Sequence, residues 1–96
     1  MIRVECGRNK LTVSGHAGAG EYGHDLVCAA VSALVLTLCE CVKKSESEKK
    51  VIVRGGNAEI LCEGMENTFE TICTGLKVIE EIHPDNITVH APEWEQ

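Results

Sequence analysis

Ninety-six residues make one domain with a single modest core, and 44% hydrophobic content beside 25% charge excludes disordered and fibrous classes. A formal net charge of -6 and a pI near 5.1 argue against direct nucleic-acid binding, which draws on Lys and Arg, and favour a basic partner. Phe69, Tyr22 and Trp94 are the only aromatic residues, so the core must be aliphatic.

The start, Met1-Ile2-Arg3-Val4-Glu5, places charges where an export signal needs an apolar run, so a cytoplasmic protein is expected. Its six cysteines then read as reduced thiols. Ile2, Val4 and Cys6 alternate with polar residues, as do Leu11 and Val13, and Gly7-Arg8-Asn9 lies between them. That period and turn chemistry predict a hairpin.

A helix is expected from about Asp25 to Lys43. Its apolar stretch, Leu26 to Val42, includes Ser32, Thr37 and Glu40 and falls short of the ~20 residues that span a bilayer, so it reads as a buried helix and no membrane partner is expected. Val51 and Val53, then Ala58, Ile60 and Cys62, form a second hairpin pattern around Gly55-Gly56-Asn57. A second helix is expected over Glu66 to Ile82, ended by Pro84, and a last strand over Asn86 to His90. The order ββα-ββα-β predicts an α+β domain spanning 1–96, with two helices packed on one face of a largely antiparallel sheet.

The two halves differ in the link from second strand to helix. In the second half it covers about Glu63 to Glu66; in the first it runs from Ser14 to His24 with four glycines. A long glycine-rich link inside a compact domain points to function, the alternative being an ordinary flexible connector. With Asp25 as cap or first-turn residue, Cys28 falls in the first helical turn, where unpaired N–H groups and the helix dipole favour a thiolate. His16 sits at the far end of the link, and a Cys/His pair within about 3 to 4 Å transfers the thiol proton and later protonates a leaving amine.

His24 is a competing base, nearer in sequence but expected to face solvent. Backbone N–H groups around Val27, Cys28 and the glycine loop suit an oxyanion hole. Ser32 lies one turn after Cys28 and either bonds within the site or back to the Cys28 carbonyl. Tyr22 either gates a pocket or covers the core edge. No metal site is expected: Cys39 and Cys41 point about 200° apart on a helix, Cys39 lies about 16 Å along the axis from Cys28, and there is no Cys-x-x-Cys pair.

Gly15-His16-Ala17, then Gly23, Asp25 and the run Val27-Cys28-Ala29-Ala30-Val31-Ser32-Ala33-Leu34, resemble the signature of the Prp family of bacterial ribosomal-processing cysteine proteases, with eleven residues separating His16 from Cys28. The resemblance covers essentially the whole chain. It implies an endopeptidase that removes a short N-terminal extension from large-subunit ribosomal protein twenty-seven. It further implies a homodimer without metal or organic cofactor, with Cys28 and His16 as the dyad. Asp25 and Ser32 take supporting roles, and Gly15, Gly20 and Gly23 belong to a loop that orders over substrate, with Tyr22 as a candidate wall. The rival readings are a non-enzymatic ribosome-associated module using the glycine-rich loop as an anion or peptide site, and a Cys/His hydrolase of small amides.

Overall fold

The computed structural model describes residues 1–15 and 22–94, with the backbone alone for 22–25. The elements run β1 (Ile2–Cys6), β2 (Lys10–Ser14), α1 (Tyr22–Lys43), β3 (Lys49–Arg54), β4 (Asn57–Cys62), α2 (Glu66–Ile82) and β5 (Ile87–His90), followed by a single 3-10 turn over Pro92–Trp94. The ββα-ββα-β order is the one the sequence predicts. The five strands form one sheet in the order β3-β4-β2-β1-β5, antiparallel except for the parallel pair β1 and β5.

Period-two alternation decides which face of the sheet is dry. Ile2, Val4 and Cys6 of β1, Leu11 of β2, Ala58, Ile60 and Cys62 of β4, and Ile87 and Val89 of β5 are all buried on one side. The opposite side carries Arg3, Glu5, Lys10, Lys50 and Glu59, and Lys50 bonds Glu59 at 2.8 Å. That lysine, with a further contribution from Lys10, holds the Glu59 carboxyl below its ordinary value. An antiparallel sheet with one solvated face needs this division.

Both helices cover the dry face. α1 contributes Val27, Val31, Val35, Leu38 and Val42 at helical spacing, and α2 contributes Phe69, Ile72, Cys73 and Leu76. Leu38, Ile60, Leu76 and Ile87 are fully buried, and each such side chain stabilises the fold by about 1.5–3 kcal/mol. Phe69 is the one aromatic ring in this buried set, so the core is aliphatic as composition requires. Gly75 of α2 faces Leu34 of α1, whose Cδ1 would lie 3.0 Å from a Cβ at that position. The glycine lets the two helices approach where Leu34 seats.

Two expectations change. α1 begins at Tyr22 rather than near Asp25, so Asp25 is its fourth residue and not a cap. Among the described side chains the buried stripe of the helix begins only at Val27, so none of them marks where its helical backbone starts. Nor is α1 buried all round: Leu26, Ala29, Ala33 and Leu36 are exposed along its outer side. The helix is long and apolar enough to cross a membrane by length and composition, yet its inner stripe belongs to the core of this domain.

Candidate active site

Cys28 is the seventh residue of α1, on its second turn. It is half-buried, packed against the core, and it opens on a hollow of ≈ 330 Å³ between α1 and the sheet. α1 supplies Val31, Ser32, Val35 and Leu36 to that hollow, β2 supplies Val13 with Gly15 just beyond it, and the β3–β4 hairpin supplies Val53, Arg54, Gly56, Asn57 and Ala58. The lining is chiefly aliphatic, with Ser32, Arg54 and Asn57 as its polar side chains. A hollow of this kind suits an apolar group held beside the Cys28 thiol.

The expected placement of Cys28 on the first turn is therefore corrected. In an α-helix the amides from the fifth residue onward are paired within the helix, so those of Val27 and Cys28 are not free donors for an oxyanion in this conformation. The dipole effect likewise falls off beyond the first turn. What distinguishes Cys28 here is access. Cys6, Cys39, Cys62 and Cys73 are buried, and Cys41 is half-buried on the same helix but does not line the hollow.

Two of the buried thiols, Cys6 and Cys39, are held in their neutral form. A hydrogen bond with Cys73, reinforced by burial, pushes the Cys6 thiol far above its ordinary range. Burial pushes Cys39 up as well.

Of the residues singled out in the sequence, the structure brings Gly15, Cys28 and Ser32 to one hollow. Ser32 is exposed, one helical turn after Cys28. His16 and Gly20 lie outside the described residues, and for Tyr22, Gly23, His24 and Asp25 the helical backbone alone is described. Among the described residues no three His, Cys, Asp or Glu side chains gather in a way that would hold a metal ion.

Gly15 is the described residue that leads into His16. Its φ is 90°, and a methyl group there would overlap the Met1 carbonyl oxygen, so glycine alone fits. Its N–H donates to the Gly56 carbonyl at 2.8 Å, continuing the β2–β4 pairing one step past Ser14 and Asn57.

Sequence reasoning missed the wall contributed by the second hairpin. Gly55-Gly56-Asn57 reads as a turn and nothing more, and no local signal says that β4 pairs with β2. Once that pairing is made, the turn and the end of β2 sit side by side, and Val53, Arg54 and Asn57 face the same hollow as Cys28.

The model of the family described as "Cysteine protease Prp" matches residues 1–88. The chain is 33% identical over 86 residues to a ribosomal processing cysteine protease Prp of Staphylococcus aureus, covering 81% of each chain. It is 30% identical over 101 residues to the protein of the same description from Mycoplasma genitalium, covering 99% of this chain and 100% of that one.

Two solved structures share the fold. A crystal structure of the S. aureus ribosomal processing protease Prp with a covalently linked product peptide superposes with a TM-score of 0.75 at 24% identity, covering 94% of this chain and 96% of that one. SMU.848 from Streptococcus mutans gives a TM-score of 0.74 at 26% identity, covering 95% and 93%.

Proposed function

Because the chain belongs to the Prp family of ribosomal processing cysteine proteases, we propose that it is an endopeptidase in which Cys28 is the nucleophile and His16 its base. The observation that carries the reading is the position of Cys28, a half-buried thiol at an apolar hollow large enough for a peptide side chain. Its substrate is the N-terminal extension of large-subunit ribosomal protein twenty-seven. The acidic balance of the chain, net -6, complements a basic ribosomal protein, and the aliphatic lining suits an apolar cleaved segment. That substrate places the enzyme in the cytoplasm.

In the reaction His16 takes the Cys28 proton as the sulfur attacks the scissile carbonyl. The tetrahedral intermediate collapses to a thioester while the imidazolium protonates the departing amine. Water, deprotonated by His16, then attacks the thioester, and that proton returns to sulfur as the new carboxylic acid leaves and ionises in solvent. No step needs a metal or an organic cofactor.

Asp25 and Ser32 support the dyad, and Ser32 does so from the hollow itself, one turn beyond the sulfur. Gly20, Tyr22 and Gly23 belong with Gly15 to the segment that meets substrate. The enzyme acts as a homodimer, and the exposed apolar side of α1 away from the hollow, where Leu26 is 72% exposed beside Ala29 and Ala33, is the surface that favours self-association.

The test is cleavage of a synthetic peptide spanning the extension and first mature residues of the host's ribosomal protein. Cys28→Ala and His16→Ala each abolish cleavage while leaving thermal unfolding near that of the parent chain. Cleavage retained in Cys28→Ala would sink the assignment.

A further inference from the structure

The dry face of the sheet runs out from under the helices at its β3 edge. Val51 and Val53 stand on that face, paired with Ile60 and Ala58 of β4, yet Val53 is 49% exposed while Ala58 is buried. α1 presents Leu36, 52% exposed, and both side chains line the hollow onto which Cys28 opens. The core is closed without them, since Ile2, Val31 and Val35 of the same lining are buried. Leu36 and Val53 therefore hold apolar surface inside a concave site, where it is free to meet a ligand.

Position along α1 gives the hollow its length. Cys28, Ser32 and Leu36 follow one another at four-residue steps, a ridge of neighbouring side chains on the helix surface, and all three line the hollow. Eight residues at about 1.5 Å each put Leu36 about 12 Å along the axis from Cys28. Ser32, between them, is small and exposed. An extended chain advances about 3.3 Å per residue, so a peptide attacked at Cys28 and lying along this ridge brings its third or fourth residue from the scissile bond to Leu36.

We propose that Leu36 and Val53 form a specificity pocket for an aliphatic or aromatic side chain three or four residues from the scissile bond. The proposal rests on the reading of Cys28 as a peptidase nucleophile and on nothing in the glycine-rich link. Hydrocarbon walls reject a charged side chain, which would lose water without gaining a partner. Arg54 lines the same hollow and makes a lysine the least suited of all.

The experiment measures kcat/KM on extension peptides carrying Leu, Phe, Ala or Lys at the third and fourth residues on either side of the scissile bond. The parent chain is expected to favour Leu or Phe over Lys by about tenfold or more at one of these positions. Leu36→Ala and Val53→Ala each lower kcat/KM on the favoured peptide by about three- to tenfold and leave that on the Ala peptide within about twofold. Leu36→Glu reverses the order, so that the Lys peptide becomes the better substrate. Both positions are half exposed, and thermal unfolding stays near that of the parent. Should Leu36→Glu fail to fold, Val53→Glu is expected to give the same reversal.

Equal cleavage of the Leu and Lys peptides at every position by the parent, or parent selectivity in the folded Glu variants, overturns the pocket. Glu variants that lose self-association in light scattering while keeping parent selectivity assign the pair to a contact between copies, and the pocket is overturned likewise. Cleavage of none of the peptides, or cleavage retained in Cys28→Ala, overturns the peptidase reading itself. Cleavage that needs Cys28 but ignores these positions removes the pocket alone.

Discussion

Gly15 lies against Met1 so closely that its Cα has no room for a side chain on that face: a methyl group would overlap the Met1 carbonyl oxygen. The glycine of the Gly15-His16-Ala17 triplet is therefore explained by packing before any catalytic role is considered. Gly15→Ala must either move Met1 or rotate φ away from 90°, and a residue forced into such backbone costs about 1–3 kcal/mol. Urea unfolding is expected to show a loss of about 2 kcal/mol or more. A loss under about 0.5 kcal/mol would mean that Met1 yields freely.

The six thiols fall into distinct environments, and alkylation separates them. Iodoacetamide at neutral pH is expected to modify Cys28 first and Cys41 second. Cys6, Cys39, Cys62 and Cys73 should react only on unfolding, because each is buried. Peptide mass spectrometry over a time course gives the order, and prior labelling of Cys41 would count against the hollow as the reactive site.

Leu38 of α1 is fully buried among core residues of both helices and the sheet. Leu38→Ala is expected to cost about 3 kcal/mol in urea unfolding with an unchanged m-value, as loss of a core leucine leaves a cavity. Val78→Ala, at a position 50% exposed on α2, should stay within about 0.5 kcal/mol of the parent.

Alkaline pH should weaken the fold through its buried thiols. Cys6 and Cys39 are both raised above the ordinary thiol value of 9.0, Cys6 by its hydrogen bond with Cys73 and by burial, Cys39 chiefly by burial. Below that value both folded and unfolded chains keep the protons, and stability is fully present. Above it the unfolded chain ionises first, so it holds fewer protons than the folded chain and stability falls as pH rises. The thermal midpoint is expected to drop between neutral pH and about pH 10, and to drop less in the double variant Cys6→Ala, Cys39→Ala. An equal drop in both chains would place the effect elsewhere.

Much of the fold is legible in local pattern. Alternation in Ile2–Cys6 and Ala58–Cys62 names both the strands and the face they bury, and the spacing of Phe69, Ile72, Cys73 and Leu76 names the inner side of α2. The start of α1 was less legible. Asp25 resembles a cap, yet helical backbone begins at Tyr22, and the buried stripe, which among the described side chains starts at Val27, carries no mark of that boundary. That shift moves Cys28 from the first turn to the second and removes the amides of Val27 and Cys28 as free donors.

The sequence by itself determined the element order, the aliphatic core and the resemblance to the family whose model matches residues 1–88. These are carried by residue type at short spacing, where side-chain periodicity and turn chemistry act directly. Only the tertiary structure decided that β4 pairs with β2, that Gly56 therefore holds Gly15, and that Val53, Arg54 and Asn57 share a hollow with Cys28. The reason is physical: strand pairing between distant segments is written in backbone hydrogen bonds that every residue but proline can make, so the residues on either side carry no local mark of their partner.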